Sequence, residues 1–316
     1  MINLTIIIPH FNTPASLKKL LSTIPILPNV QVLVVDDKST KSKREYNTLV
    51  DSNKHVSFFE NETGVKGAGV CRNIGLKYAI GKWVLFADAD DFFTPNFYEI
   101  VQHYFFSDHD VVFFIPTSLD TVSEELSYRH IRYEENMKNY IAEKDLKAEL
   151  FLRYAIDVPW SKLINRNFIE KYKIRFDETI AANDVMFSTR VGYYMRKFHV
   201  SSKIIYCVTE NKGSLTKRAS EEIFNDRLHV FIDFYQFLKI RLNQKDFKIR
   251  DITGVPLLIN AIKFKLKPSY IFRMFLILRK NKVKLLKKKY LNPLLIFRKL
   301  RVNYDSYKRE RKYYVK

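Results

Sequence analysis

Trp83-Val84-Leu85-Phe86-Ala87-Asp88-Ala89-Asp90-Asp91 is the stretch on which the reading of this chain turns. The apolar run reads as a strand buried on both faces, and three carboxylates fall where that strand leaves its sheet. Acids this close repel one another unless a cation sits between them. A hard divalent ion such as Mg2+ or Mn2+, shared with phosphate oxygens, resolves the repulsion. A plain polar turn leading into a helix near Thr94-Pro95 is the other reading of the same residues.

Outward from this stretch, residues 1–115 alternate between two kinds of signal. Leu4 to Ile8, Val30 to Val35, Val56 to Phe59, Lys82 to Ala87 and Val111 to Ile115 are short apolar runs. Thr13-Pro14 supplies an N-cap and a first-turn proline for a helix carrying Leu17, Leu20 and Leu21, and a second helix spans about Ala68 to Ile80. Continuous apolar strands spaced by helices predict an α/β fold, a Rossmann-like, mostly parallel central sheet flanked by helices. The carboxyl ends of such strands share one edge, where ligands bind. Asp36-Asp37, Glu60-Asn61 and the Asp88/Asp90/Asp91 group all fall at those ends. Beyond Ile115 the alternation stops. Residues 120–180 read as helices and connections, including Asp145 to Leu152 and Pro159 to Ile164. Ala181-Ala182-Asn183-Asp184 opens a periodic helix, and Lys203 to Val208 reads as one more strand.

Charge divides the chain unevenly. The formal net charge is +20, and residues 239–316 hold 24 Lys and Arg against 4 Asp and Glu, whereas residues 1–238 balance. The basic region is also apolar and aromatic, in blocks such as Leu257-Leu258-Ile259 and Met274 to Leu278, with lysines between them. Cationic charge mixed with apolar blocks predicts a helical extension that lies on an anionic membrane surface. Nucleic acid is the rival partner, and a solvated bundle is the plainest alternative. No apolar stretch reaches the length of a membrane span, and the N-terminus does not read as a signal peptide. Cys71 and Cys207 make neither a ligand pair nor a disulfide framework, which predicts a reducing compartment. The expected division is a catalytic domain over 1–238, with a donor half of about 1–115 and an acceptor half of 116–238, then the basic region 239–316.

Taken in order, the motifs resemble glycosyltransferase family 2, the inverting nucleotide-sugar transferases of GT-A fold. The resemblance covers about residues 3–218. It rests on Pro9-His10-Phe11-Asn12, Val34 to Ser39, and Asn61 to Val65 with Arg72-Asn73-Ile74-Gly75. Phe86 to Asp91, Trp160-Ser161-Lys162-Leu163 and Gly213-Ser214-Leu215-Thr216 complete it. The resemblance implies a donor site of Pro9, Phe11, Asn12, Asp37, Gly64, Arg72 and Asp88, with Asp37 meeting a uracil base. It implies Mn2+ or Mg2+ held by Asp88 and Asp90, Asp184 as the base, and Trp160 and Asn183 on the acceptor side. Two departures stand out. Asn183 occupies a position that is usually Glu in the family, and the Gln-x-x-Arg-Trp motif of processive members is absent, which predicts addition of one sugar or a few.

The implied activity is transfer of a sugar from a UDP-sugar to a hydroxyl of a cell-surface or lipid-linked oligosaccharide. The implied location is peripheral, on the cytoplasmic face of a bacterial membrane. Several residues carry a second reading. Asp184 suits a helix N-cap, Asp91 suits a cap of the following helix, Arg72 suits a surface ion pair, and Trp160 suits the core. A nucleic-acid-binding protein working through its basic tail is one competing function; the acid-lined rim argues against it. A nucleotidyltransferase is another, although the turn after the first strand lacks the glycine-rich basic loop such an enzyme would need.

Overall fold

A computed structural model describes residues 1–210 and 220–285 of the chain. Gly213-Ser214-Leu215-Thr216, Lys287-Lys288-Lys289 and the apolar block Leu294 to Phe297 lie outside the described residues. The chain forms a first unit, Met1–Phe234, and a second that begins at Tyr235.

The first unit opens with the alternation expected from its apolar runs: β1 (Leu4–His10), α1 (Pro14–Ser22), β2 (Val30–Asp36), α2 (Lys43–Ser52), β3 (Val56–Glu60), α3 (Ala68–Tyr78) and β4 (Trp83–Phe86). β1 lies between β2 and β4 and runs parallel to both, with Ile8 beside Val34 and Ile7 beside Phe86. Every residue of β1 is buried, as a strand sandwiched in a parallel sheet requires. Burying each large aliphatic side chain of β1 contributes roughly 1.5–3 kcal/mol. Pro9 sits in β1 opposite Val35, past the point where β4 pairs with it, so its missing N–H takes no bond from that ladder. Proline does begin α1, but Thr13 makes no side-chain cap.

The second half is less regular: β5 (Phe92–Phe93), α4 (Phe97–Gln102), β6 (Val111–Asp120), α5 (Ile131–Glu143), α6 (Leu146–Ala155), β7 (Lys162–Asn165), α7 (Arg166–Lys171), α8 (Val185–Tyr194) and β8 (Phe198–Glu210). One sheet carries all eight of these strands in the order β3-β2-β1-β4-β7-β6-β8-β5. It is parallel across β3-β2-β1-β4 and at β6-β8. It is antiparallel where β7 meets β4 and β6 and where β5 meets β8, so the sheet is mixed.

Two expectations are corrected. The helix expected near Thr94-Pro95 begins at Phe97, because Phe92 and Phe93 first pair with Cys207 and Tyr206. Residues 162–164, expected among helices and connections, are strand. β7 fills the gap between β4 and β6, with Val84 opposite Ile164 and Val112 opposite Leu163. Asp145 caps α6 by accepting from the Ala148 N–H at 2.7 Å.

α9 (Glu221–Arg241) leads into the second unit, which is helical among the described residues: α10 (Gln244–Arg250), α11 (Val255–Lys263) and α12 (Pro268–Lys280). No helix among the described residues is long and apolar enough to cross a membrane.

Candidate active site

The carboxyl ends of β1, β2, β3 and β4 are fastened together by main-chain bonds beyond the ladders. Asp37 N–H donates to His10 O, Asn61 N–H to Asp36 O, and Ala87 N–H to Ile7 O, at 2.8, 2.8 and 3.1 Å. The loops leaving these strands therefore start from one edge. Asn12 takes the left-handed conformation (φ 57°), and its side-chain oxygen accepts from the N–H groups of Thr40 and Lys41, each at 2.8 Å. That clamp leaves Phe11 45% exposed beside the rim, with Lys66 near its ring.

A buried pair underlies this corner. His10 Nδ1 lies 2.6 Å from Asp36 Oδ1, and His10 Nε2 accepts from Thr13 N–H at 3.2 Å. The second bond fixes the tautomer, leaving the proton on Nδ1 facing Asp36. Burial favours protonation of Asp36, but the bonds from His10 and Ser39 outweigh it and hold its carboxyl below the usual range. Asp37 is occupied differently. Its oxygens accept from the Asn61 side chain at 2.7 Å and from Gly67 N–H at 2.9 Å, and Asn61 also donates to Val65 O. The loop containing Gly64 (φ 83°) is thus folded onto Asp37.

The acid turn after β4 is held from β8. Tyr206 is fully buried. Its hydroxyl accepts from Asp88 N–H at 2.8 Å and donates to Asp91 Oδ2 at 2.9 Å. Asp91 Oδ1 accepts from Thr209 N–H at 2.7 Å. Asp91 is therefore a buried strut and not the cap of α4, a position taken by Asn96. Burial pushes Asp91 well above the usual carboxylate range, and Asp90 and Asp88 push it the same way. Asp88 and Asp90 remain half-buried.

Arg72 is 4% exposed and so is not a surface ion pair. Its Nη2 donates to Asp88 Oδ1 at 2.5 Å and its Nη1 to Asn183 Oδ1 at 2.8 Å, while its Nε is buried without a partner. One guanidinium thus ties the acid turn to the residue preceding Asp184. Gly69 makes the approach possible: a Cβ there would stand 2.2 Å from Asp177 O and 2.9 Å from Asn183 Cβ. Ala182 and Ser161 take left-handed backbone (φ 59° and 57°), as several other non-glycine residues of the chain do at turns and helix ends.

Asp184 precedes α8 but makes no side-chain cap bond, so the capping role is not taken. Burial, then Asp157 and Asp88 against the opposing pull of Arg72, raise its pKa to about 6. Lys162 is 1% exposed. Its Nζ donates to Ile156 O at 2.7 Å, and burial lowers its pKa to about 7 against the pull of Asp157 and Asp184. Trp160 is 3% exposed, stacked on Tyr206 at 5.8 Å and edge-on to Tyr133 at 5.1 Å. The core reading of Trp160 therefore describes its setting, although the residue it stacks on is the one that holds the acid turn.

Tyr206, Asp157 and the His10–Asp36 pair escaped the sequence reading. Each acquires its role through a partner distant in the chain, and no spacing signals it.

Asp88 and Asp90 fit a divalent cation as two hard carboxylates on one short turn, in surroundings that disfavour further negative charge. Among the described residues no group of three His, Cys, Asp or Glu gathers at one point. The remaining ligands would have to be phosphate oxygens and water, which is how Mg2+ is commonly held.

The model of the family described as Glycosyl transferase family 2 matches residues 5–173. Glycosyltransferase GlyA of Streptococcus pneumoniae is 24% identical over 73% of this chain, and the match spans 33% of GlyA. UDP-Glc:alpha-D-GlcNAc-diphosphoundecaprenol beta-1,3-glucosyltransferase WfgD of Escherichia coli is 33% identical over 29% of this chain and 36% of its own length. Among solved structures, S. aureus TarS 1–349 in complex with UDP-GlcNAc superposes with a TM-score of 0.64 at 19% identity, covering 85% of this chain and 77% of that 1–349 chain.

Proposed function

The chain belongs to glycosyltransferase family 2, and from that premise we propose that it moves one sugar from a UDP-sugar to a hydroxyl of a lipid-linked or cell-surface oligosaccharide, with inversion. The observation that carries this reading is Arg72 bridging Asp88 and Asn183. It sets the acids suited to a nucleotide diphosphate beside the carboxylate suited to activating a hydroxyl.

The donor would lie along the rim, its base near Asp37 and Phe11 and its sugar near Asp88. Asn12 and the Gly64 loop shape the same edge, and Pro9 anchors the strand that delivers them. Mn2+ or Mg2+ held by Asp88 and Asp90 would offset the charge of the diphosphate. Arg72 brings a fixed cation to the same place. Asp184, poised at about 6, takes the proton of the acceptor hydroxyl. The acceptor oxygen then bonds to the anomeric carbon as the bond to the diphosphate breaks on the opposite face, so UDP leaves and the centre inverts. Asn183 adjoins the base in the chain and is held by Arg72, and Trp160 stacks on Tyr206, which holds the acid turn.

UDP as the nucleotide is supported by the Asp36-Asp37 element and by the names of WfgD and the TarS complex. A lipid-linked acceptor is supported by the diphosphoundecaprenol substrate in the name of WfgD. A peripheral position at the cytoplasmic face of the membrane is supported by the charge asymmetry of the chain.

The test is UDP release across a set of UDP-sugars with Mn2+ or Mg2+, for the parent and Asp184→Asn. Losing the base should cost about 10²–10⁴-fold in transfer while donor affinity stays within about twofold. Undiminished transfer by Asp184→Asn would remove Asp184 from the mechanism.

A further inference from the structure

We propose that the cleft between α11 and α12 takes up the acyl chains of an anionic lipid leaflet, with the turn joining the two helices set among the headgroup phosphates. The inference rests on the reading of the second unit as the membrane-facing one and assigns the element that makes the contact.

The two helices are closed on each other by their connecting turn, in which Leu266 N–H donates to Ala261 O at 3.1 Å and Lys265 N–H to Ile262 O at 2.9 Å. α12 already satisfies one apolar stripe. Tyr270, Met274 and Leu278, four residues apart, are buried to 3% or less. A second apolar face is left over. Leu258, Ile262, Leu266, Ile271, Phe272 and Phe275 line a cleft of about 570 Å³. Phe272 and Ile262 are each 61% exposed, and Ile259 and Leu276 each 46%. A contiguous exposed apolar surface of this kind marks an interaction site.

Charge says what covers it. From Ile252 to Leu285 there is no Asp or Glu, while Lys263, Lys265, Lys267, Arg273, Arg279, Lys280 and Lys282 supply seven cations beside Lys284, which is paired with Asp251 at 2.9 Å. Lys263, Lys265 and Lys267 alternate with Ile262, Phe264, Leu266 and Pro268, so charge and hydrocarbon meet within one exposed turn. The cleft-lining side chains are aliphatic or phenyl and offer no hydrogen bond. A partner protein would bring polar groups needing directional partners at its rim. A leaflet brings fluid hydrocarbon under a layer of phosphate, and so matches both halves of the surface.

The test uses the full chain and vesicles of phosphatidylcholine alone or mixed 3:1 with phosphatidylglycerol. The parent should float with the anionic vesicles and about tenfold less with the neutral ones. Ile262→Asp combined with Phe272→Asp should reduce flotation at least tenfold. Both positions face solvent, so its melting temperature and donor affinity should match those of the parent. As a second variant, Phe272→Trp should be quenched by lipids brominated on the acyl chain, against a background of Trp83 and Trp160, which are 3% exposed or less. A parent that does not float overturns the membrane reading of the second unit together with this inference. A parent that floats while the double variant floats equally well, or an unquenched Phe272→Trp, overturns the cleft alone. A parent dimer that the double variant dissolves makes the cleft an interface between copies and likewise overturns it.

Discussion

The acid-lined rim of the first unit and the lysine-bordered apolar cleft of the second are built in opposite ways. At the rim four carboxylates are each matched to a named partner: Asp36 to His10, Asp37 to Asn61, Asp88 to Arg72 and Asp91 to Tyr206. Function there depends on geometry, and moving one atom matters. Among the described residues of the second unit, Lys263, Lys265 and Lys267 are exposed around hydrocarbon, and the leaflet contact proposed above would depend on the sum of charge and apolar area. A site that recognises one nucleotide needs the first construction. A surface that recognises a leaflet needs only the second, and tolerates single changes at about 1 kcal/mol per lysine.

The sharpest way to break this contrast is a single methyl group at the rim. In Gly69→Ala the new Cβ would meet Asp177 O at 2.2 Å and press on Asn183. Relief requires α3 to move away from the segment 177–183, which separates Arg72 from Asn183. We expect a loss of about 1–3 kcal/mol in stability, and a fall in kcat near 100-fold, since small misplacements of a catalytic constellation can cost this much. Thermal melting and UDP-release kinetics check both. Parent-like kcat would show that the Arg72 bridge is not needed to place the base.

A smaller effect is expected from pH. Asp184 must be ionised to accept a proton, and with a pKa raised to about 6 its activity should fall about tenfold per unit below pH 6. The effect on stability has the opposite sense. A folded pKa above the ordinary 3.8 means the folded state holds its proton more tightly than the unfolded chain. The penalty is therefore full above pH 6 and relieved as pH falls toward 4. Asp184→Asn should accordingly melt higher than the parent at pH 7, with the difference shrinking near pH 4. An acid limb near pH 4 in the parent would contradict the half-buried, acid-flanked setting of this carboxylate.

How far the molecule was legible from its residues follows from the same contrast. The parallel strands β1, β2, β3 and β4 were readable because burial on both faces leaves an uninterrupted apolar run. β7 was not, because it is four residues long and begins with Lys162, a residue that normally argues against a buried strand. Lys162 is tolerated because its amine reaches Ile156 O and lies 5.7 Å from the centroid of the Phe113 ring, and both partners are known only once the chain is folded. The acid turn was legible as a charge anomaly, and Asp184 through its motif. Tyr206 was not, because its partner Asp91 lies 115 residues away and a tyrosine in a strand reads as ordinary core. The helical character of the described part of the basic region was readable from cationic charge mixed with apolar blocks. The cleft between α11 and α12 was not, since it depends on which of two apolar stripes each helix buries.

The most direct measurement of the central claim is the calorimetric affinity for UDP with Mn2+ and with chelator, in the parent and in Asp90→Asn. If acids along this rim grip a nucleotide diphosphate through a divalent cation, UDP should bind at least tenfold more weakly with chelator, and Asp90→Asn should bind weakly under both conditions. Equal UDP affinity in the parent with and without the cation, unchanged in Asp90→Asn, would contradict it.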